Sequence, residues 1–173
     1  MNVPLLDLKP QLAPLRAEIL EAVTRVIDST GYILGPEVTK LEEKVAQYSG
    51  AACGVGVSSG TDALLAALMS LDIGPGDLVL TTPYTFFATM GTVLRVGAKP
   101  VFVDVEPGSL NMDPALTAEA LKADRQGENR IKAMIPVHLY GQCADMQRLG
   151  ALSQEYGVPI IEDAAQAIGA EFP

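Results

Sequence analysis

Cysteine, histidine and positive charge are all scarce in this sequence, and each scarcity removes a class of protein. Two cysteines, Cys53 and Cys143, cannot build a disulfide framework. With the single histidine, His138, they also fall short of a zinc-ligand pattern. A reducing, cytoplasmic setting without a structural metal is the expectation. Twelve basic residues stand against twenty-one acidic ones, giving a formal net charge of −9, and the bases are scattered rather than gathered on one stretch. Nucleic acid and anionic membrane are therefore poor partners. No apolar run approaches a membrane span. The segment from Met1 to Pro10 carries charge inside what would be the apolar run of a signal peptide. Internal repeats, low-complexity tracts and an interdomain linker are absent as well.

What is present is apolar and periodic. Hydrophobic residues make up 49% of the 173, enough for the core of one domain or of one piece of a larger one. Leu12, Leu15, Ile19, Val23, Val26 and Ile27 recur at helical spacing and predict an amphipathic helix closed near Gly31. A second helix follows Pro36, with Val38, Leu41, Val45 and Tyr48 on one stripe. Both are expected to cover a core built later in the chain. From Cys53 onward the pattern alternates. Strands are predicted at Val55–Ser58, Leu78–Thr82, Val101–Asp104, Ile131–Val137 and Val158–Glu162. Helices are predicted at Asp62–Leu71, Phe86–Val96, Pro114–Lys122 and Asp145–Tyr156. Such alternation denotes βα units and an α/β fold, a mostly parallel sheet with helices on both faces. The strands are apolar throughout, as a sheet covered on both sides requires. Turn residues at Gly74-Pro75-Gly76-Asp77, Glu106-Pro107-Gly108-Ser109 and Gly157 fall between the periodic segments. Nothing closes the sheet between Glu162 and Pro173, so a doubly wound sheet is expected to be incomplete.

Several residues sit where chemistry happens, each with a plain structural alternative. Val55 to Asp62 reads as a strand, a tight turn and a helix start, where the N–H groups of Gly60 and Thr61 point outward and favour an anion such as phosphate. The alternative is that Ser59 or Thr61 merely caps the helix. Gly54, Gly56 and Gly60 have the flavour of a dinucleotide fingerprint, but they precede or interrupt the strand, and the next strand ends in Thr81-Thr82 instead of an acid. Asp163 ends an apolar strand, on the side where parallel sheets bind ligands. No Lys or Arg follows Arg148 to meet its charge, so a cationic ligand nitrogen would answer it. Equally, Asp163 would cap a helix beginning at Ala164. Phe86 is placed to stack on a flat ligand, although core packing is the simpler reading of Phe86 and Phe87. His138, also at a strand end, is read as a hydrogen-bonded structural residue ahead of a proton shuttle. Tyr140 and Cys143 are read as packing.

Taken in order, Tyr32-Ile-Leu-Gly-Pro-Glu37, Ser59-Gly-Thr-Asp-Ala-Leu64, Gly76-Asp77, Pro83 through Thr85-Phe86 to Ala88-Thr89, Gly97 to Asp104, Val137-His-Leu-Tyr-Gly-Gln142 and Ile161-Glu-Asp-Ala-Ala-Gln-Ala167 resemble the DegT/DnrJ/EryC1/StrS family of sugar aminotransferases. The resemblance implies the large domain of a fold-type I, aspartate aminotransferase-like enzyme that uses pyridoxal 5′-phosphate. Such an enzyme moves an amino group from glutamate to a nucleotide-linked keto-sugar and works as a homodimer. It also implies roles. Gly60, Thr61 and the backbone of Asp62 bind the cofactor phosphate, Phe86 stacks on its ring, Asp163 meets the ring nitrogen, and Gln166 meets the ring hydroxyl. The family's covalent lysine follows the Glu-Asp-Ala-Ala-Gln segment, whereas Lys9, Lys40, Lys44, Lys99, Lys122 and Lys132 all precede Asp163. The expectation is that residues 1–173 are an N-terminal segment plus part of the cofactor-binding domain, inactive by themselves. A dehydratase with His at the lysine position, or a noncatalytic regulatory protein of the same fold, are the alternatives.

Overall fold

The computed structural model describes residues 3–128 and 130–172; Met1, Asn2, Asn129 and Pro173 lie outside them. The chain divides into two compact units, Met1–Gly56 and Val57–Pro173.

The first unit contains helix α1, Lys9–Ser29, and helix α2, Pro36–Tyr48. Proline stands in the opening turn of each, where its missing N–H would find no helical partner anyway. Helix α1 stops at Thr30, in left-handed conformation with φ 51°, one residue before the expected Gly31. The expectation that both helices cover a core fails within the described residues. No residue of α1 is buried, Leu12, Leu15, Ile19, Val23 and Ile27 stay roughly half exposed, and only Ala46 of α2 is buried. Periodicity identifies the face that seeks cover, without supplying what covers it. The expected strand at Val55–Ser58 is also absent. Val55 is 80% exposed, and the Gly56 N–H donates to Glu42 Oε1 at 2.6 Å rather than to a neighbouring strand. An extended segment becomes a strand only through a ladder, and none is offered here. Glycine is required at position 54, because a Cβ there would lie 2.5 Å from the Glu42 carbonyl oxygen.

The second unit is the α/β part. Strands β1 (Leu78–Thr81), β2 (Lys99–Phe102) and β3 (Ile131–Ile135) are all parallel, in the order β2-β1-β3. Helix α3 (Gly60–Ser70) precedes β1, α4 (Phe87–Arg95) links β1 to β2, α5 (Pro114–Gln126) links β2 to β3, and α6 (Met146–Tyr156) follows β3. The expected final strand is present only as parallel bridges, Met134 with Ile160 and Val137 with Asp163. Met134 N–H donates to Pro159 O, Ile161 N–H to Met134 O, Asp163 N–H to Pro136 O and His138 N–H to Asp163 O. The one donor the ladder lacks between them is at Pro136, which has no N–H.

One extra residue in β3 sets which side chains face which layer. Leu78 pairs with Ile131 but Val79 pairs with Ala133, so Lys132 is a bulge. Beyond it, Val79, Ala133 and Ile135 share a core with Leu64 and Leu68 of α3 and Val93 of α4. Leu80, Ile131 and Met134 share the opposite core with Leu121 of α5 and the partly buried Leu152 and Tyr156 of α6. Helices therefore cover both faces, as expected. Strand β2 departs from the apolar-throughout reading: it is an edge, with Lys99 and Phe102 exposed. From β1 the chain moves outward to β2 and returns to β3 on β1's other side. The carboxyl ends of β1 and β3 thus flank the point where strand order reverses, the place where open parallel sheets form a ligand crevice.

Candidate functional site

A cavity of about 350 Å³ opens at those carboxyl ends. The segment after β1 contributes Thr85, Phe86 and Ala88; the segment after β3 contributes Val137, His138 and Leu139. Asp163, Ala165 and Gln166 enter from the last extended segment, and Gly60, Thr61 and Leu64 from α3. Five of the six residues expected at a ligand site, Gly60, Thr61, Phe86, Asp163 and Gln166, therefore line one space. Asp62 is not in the lining.

The α3 end is built for an anion. Ser59 is extended and caps the helix, its Oγ accepting the Asp62 N–H at 3.1 Å. Among the described residues no acceptor meets the N–H of Gly60 or Thr61, and nothing lies within 4 Å of where a Cβ on Gly60 would be. Cap and anion site are thus compatible: Ser59 does the capping and leaves the next two donors unmet. The expected third donor, on Asp62, is engaged by the cap. The Asp62 carboxylate receives the Ser58 hydroxyl, with Arg95 Nη1 3.9 Å away. Its pKa is held below the usual carboxylate value, first by the Ser58 hydroxyl and further by Ser59 and Arg95. A lowered folded pKa gives stability that is present above the unfolded carboxylate pKa and lost as pH falls through the folded one. Asp62 is at the surface, so the effect is small. Ser58→Ala is expected to move the Asp62 midpoint upward in a carbon-detected NMR titration; an unchanged midpoint would refute this cause.

The opposite end is built for a cation. Asp163 is only 9% exposed, and its carboxylate accepts the Thr89 hydroxyl at 2.7 Å and, weakly, the Ala165 N–H at 3.4 Å. Thr89 in turn lies 2.7 Å from the Thr85 hydroxyl. No Lys, Arg or His side chain pairs with Asp163 among the described residues. The capping alternative fails, because Ala164 to Ala167 form turns and no α-helix begins there.

Between the two ends the remaining residues depart from several expectations. Phe86 is 72% exposed and Phe87 is also exposed, so core packing is excluded for both. Their position just before and at the start of α4 faces them away from the two cores. Gln166 Oε1 accepts the Tyr140 N–H at 2.9 Å, which leaves its NH₂ as the free donor. Tyr140 is exposed, not packed. It holds φ 57° and meets the Tyr84 ring edge-on, with centroids 6.4 Å apart. Its hydroxyl, hydrogen-bonded to that of Tyr84, raises the Tyr84 pKa above the ordinary phenol value. His138 is buried and structural, as read from sequence. Its Nδ1 accepts the Ala144 N–H at 3.1 Å, so the proton is on Nε2 and points to Glu162 Oε2 at 3.0 Å. The residues that sequence reasoning left without a role are Thr85 and Thr89. Their i, i+4 spacing after a strand end was the available signal.

Among the described residues no helix is long and apolar enough to cross a membrane, and no group of His, Cys, Asp or Glu could hold a metal ion. The model of the DegT/DnrJ/EryC1/StrS aminotransferase family matches residues 14–173. A pleiotropic regulatory protein of Geobacillus stearothermophilus is 49% identical over 99% of this chain and 45% of its own length. UDP-2-acetamido-2-deoxy-3-oxo-D-glucuronate aminotransferase of Pseudomonas aeruginosa is 45% identical over 98% of this chain and 46% of its own. The crystal structure of S. venezuelae DesV in complex with a ketimine intermediate superposes with a TM-score of 0.90 at 44% identity. That match covers 96% of this chain and 43% of DesV. The chain thus spans less than half the length of each.

Proposed function

This chain belongs to the DegT/DnrJ/EryC1/StrS aminotransferase family, and from that premise we propose that its cavity holds pyridoxal 5′-phosphate in an enzyme that transfers an amino group from glutamate to a nucleotide-linked keto-sugar. The observation that carries the proposal is a polarity match across one cavity. Among the described residues, two unmet N–H groups stand at one end, on Gly60 and Thr61, and a buried carboxylate without a cation stands at the other, on Asp163. A flat molecule with a phosphate at one end and a protonated ring nitrogen near the other answers both needs, and a molecule carrying only one of these answers half.

In this reading Gly60 and Thr61 hold the phosphate at the positive end of α3. Asp62 contributes through the cap that fixes this turn rather than through its own N–H. Phe86 offers its bare ring for stacking, and Gln166 donates its NH₂ to the ring hydroxyl. Asp163 keeps the ring nitrogen protonated. When bound, the cofactor supplies an electron-withdrawing ring that stabilises negative charge on the carbon bearing the amine. Leu64, Val137 and Leu139 give an apolar lining that limits water around those contacts. The lysine that would anchor the cofactor and move the proton is assigned to sequence outside residues 1–173, which we place as an N-terminal segment plus part of the large domain of a longer enzyme. Support comes from the share of each relative that is matched and from Val55, bare where a strand partner would lie. Glutamate as donor, a homodimer and a cytoplasmic location belong to the same proposal, supported by the family assignment and by two free thiols.

The regulatory name of the Geobacillus relative favours a second reading, a noncatalytic protein of this fold. It leaves a buried, uncompensated carboxylate without a purpose. Calorimetric titration of the chain separates the readings. Pyridoxamine 5′-phosphate, which has no aldehyde to react with stray lysines, should bind at least about tenfold more tightly than pyridoxamine, since a phosphate on two backbone donors makes charge-assisted bonds. Equal binding of the two, or none, would remove the phosphate assignment.

A further inference from the structure

The Thr85–Thr89–Asp163 chain of hydroxyls and carboxylate has no place in the reading so far, and donor arithmetic gives it a direction. Thr89 is fully buried and owns one hydroxyl hydrogen. That hydrogen points at Asp163 Oδ2, which accepts it at 2.7 Å. Thr89 Oγ1 must then act as acceptor toward Thr85, also 2.7 Å away, and the Thr85 hydroxyl is the donor. Both hydrogens therefore run toward the carboxylate. We propose that Thr85 and Thr89 form a hydroxyl relay that fixes the orientation of the Asp163 carboxylate and so the direction in which it meets a cationic ligand nitrogen, which makes Thr89 a positioning residue for the ligand site. The inference rests on the reading of Asp163 as the partner of the cofactor's ring nitrogen.

The local sequence explains why the relay is rigid. Thr85 lies before the extended N-cap of α4, Phe86, and Thr89 in the helix's first turn, and the chain there brings the two hydroxyls together. The Thr92 hydroxyl donates to the Thr89 carbonyl at 3.1 Å within the same helix. Asp163 is fixed from the other side, its N–H on the Pro136 carbonyl and its carbonyl on the His138 N–H. Removing the relay must therefore cost ligand affinity through the orientation of the Asp163 carboxylate. The other ionisable groups at the site are His138, whose ring lines the cavity, and Glu162, bonded to it. Neither bonds to Thr89, so changes at Thr89 leave them in place.

The test measures binding of pyridoxamine 5′-phosphate and the melting temperature of the chain for the parent, Thr89→Val, Thr89→Ser, Thr85→Val and Asp163→Ala. Thr89→Val, of nearly equal shape, should weaken binding roughly tenfold. Thr89→Ser should restore it, and Thr85→Val should weaken it less. A purely structural role for Thr89 would lower the melting temperature without changing the affinity, and that result overturns the relay. Should Thr89→Val not fold, parent-like binding by Thr85→Val overturns it as well. If Asp163→Ala abolishes the binding while both threonine-to-valine variants bind like the parent, the relay is wrong and the cofactor reading stands. Parent-like binding by Asp163→Ala removes both.

Discussion

Asp163→Ala is expected to weaken binding of pyridoxamine 5′-phosphate by about 2–5 kcal/mol, at least roughly 30-fold, because it strips the partner from a buried, charged ring nitrogen. The same substitution should leave thermal stability unchanged or raise it slightly. In the free chain Asp163 is 9% exposed and has no cation partner among the described residues, so no opposite charge compensates its burial. A residue whose removal costs ligand affinity and spares stability is placed for function. The opposing contribution is the Thr89 hydroxyl, which loses its acceptor in the variant. One neutral hydroxyl left unmet costs about 1–3 kcal/mol at most, so a modest fall in melting temperature marks the limit of this account. Differential scanning fluorimetry beside the calorimetric titration separates the two quantities. A large fall in stability with unchanged affinity would reverse the assignment.

Leu80→Ala carries the second large effect, on folding alone. Leu80 is fully buried in β1, the central strand, within the core that includes Met134, Val103, Met112 and Leu121. Both neighbouring strands and the α5–α6 layer fix this region, so it cannot collapse around the lost atoms, and a cost of about 2–5 kcal/mol is expected. Ile19→Ala is the control. Its side chain is 45% exposed on α1, and its truncation should cost well under 1 kcal/mol in this chain. Urea unfolding followed by circular dichroism measures both. Equal costs would mean that α1 is packed far more tightly than its exposure indicates.

The two ends of the site were legible in sequence for a physical reason. Ser59-Gly60-Thr61 and Asp163 sit where apolar strand-like runs stop, and strand ends are where parallel sheets expose unmet polarity. The layering was legible for the same reason, since alternating βα periods have few ways to bury their apolar faces. What stayed hidden depends on partners rather than on local pattern. Phe86 and Phe87 look like core by composition and lie bare, because the turn before α4 faces them away from both cores. Among the described residues, Val55 to Ser58 has strand chemistry but finds no ladder, and the stripe on α1 finds no cover. The final strand is interrupted by a proline on its neighbour, Pro136, which no reading of residues 158–162 alone would reveal. The link from Thr89 to Asp163 spans 74 residues of sequence, and only the fold brings those two atoms together.

The most direct test of the central claim is a crystal structure of the chain grown with pyridoxamine 5′-phosphate. The account predicts the phosphate on the N–H groups of Gly60 and Thr61, with the ring against Phe86 and its nitrogen within hydrogen-bond distance of Asp163. Ligand bound with its phosphate away from α3, or its ring nitrogen away from Asp163, would contradict it.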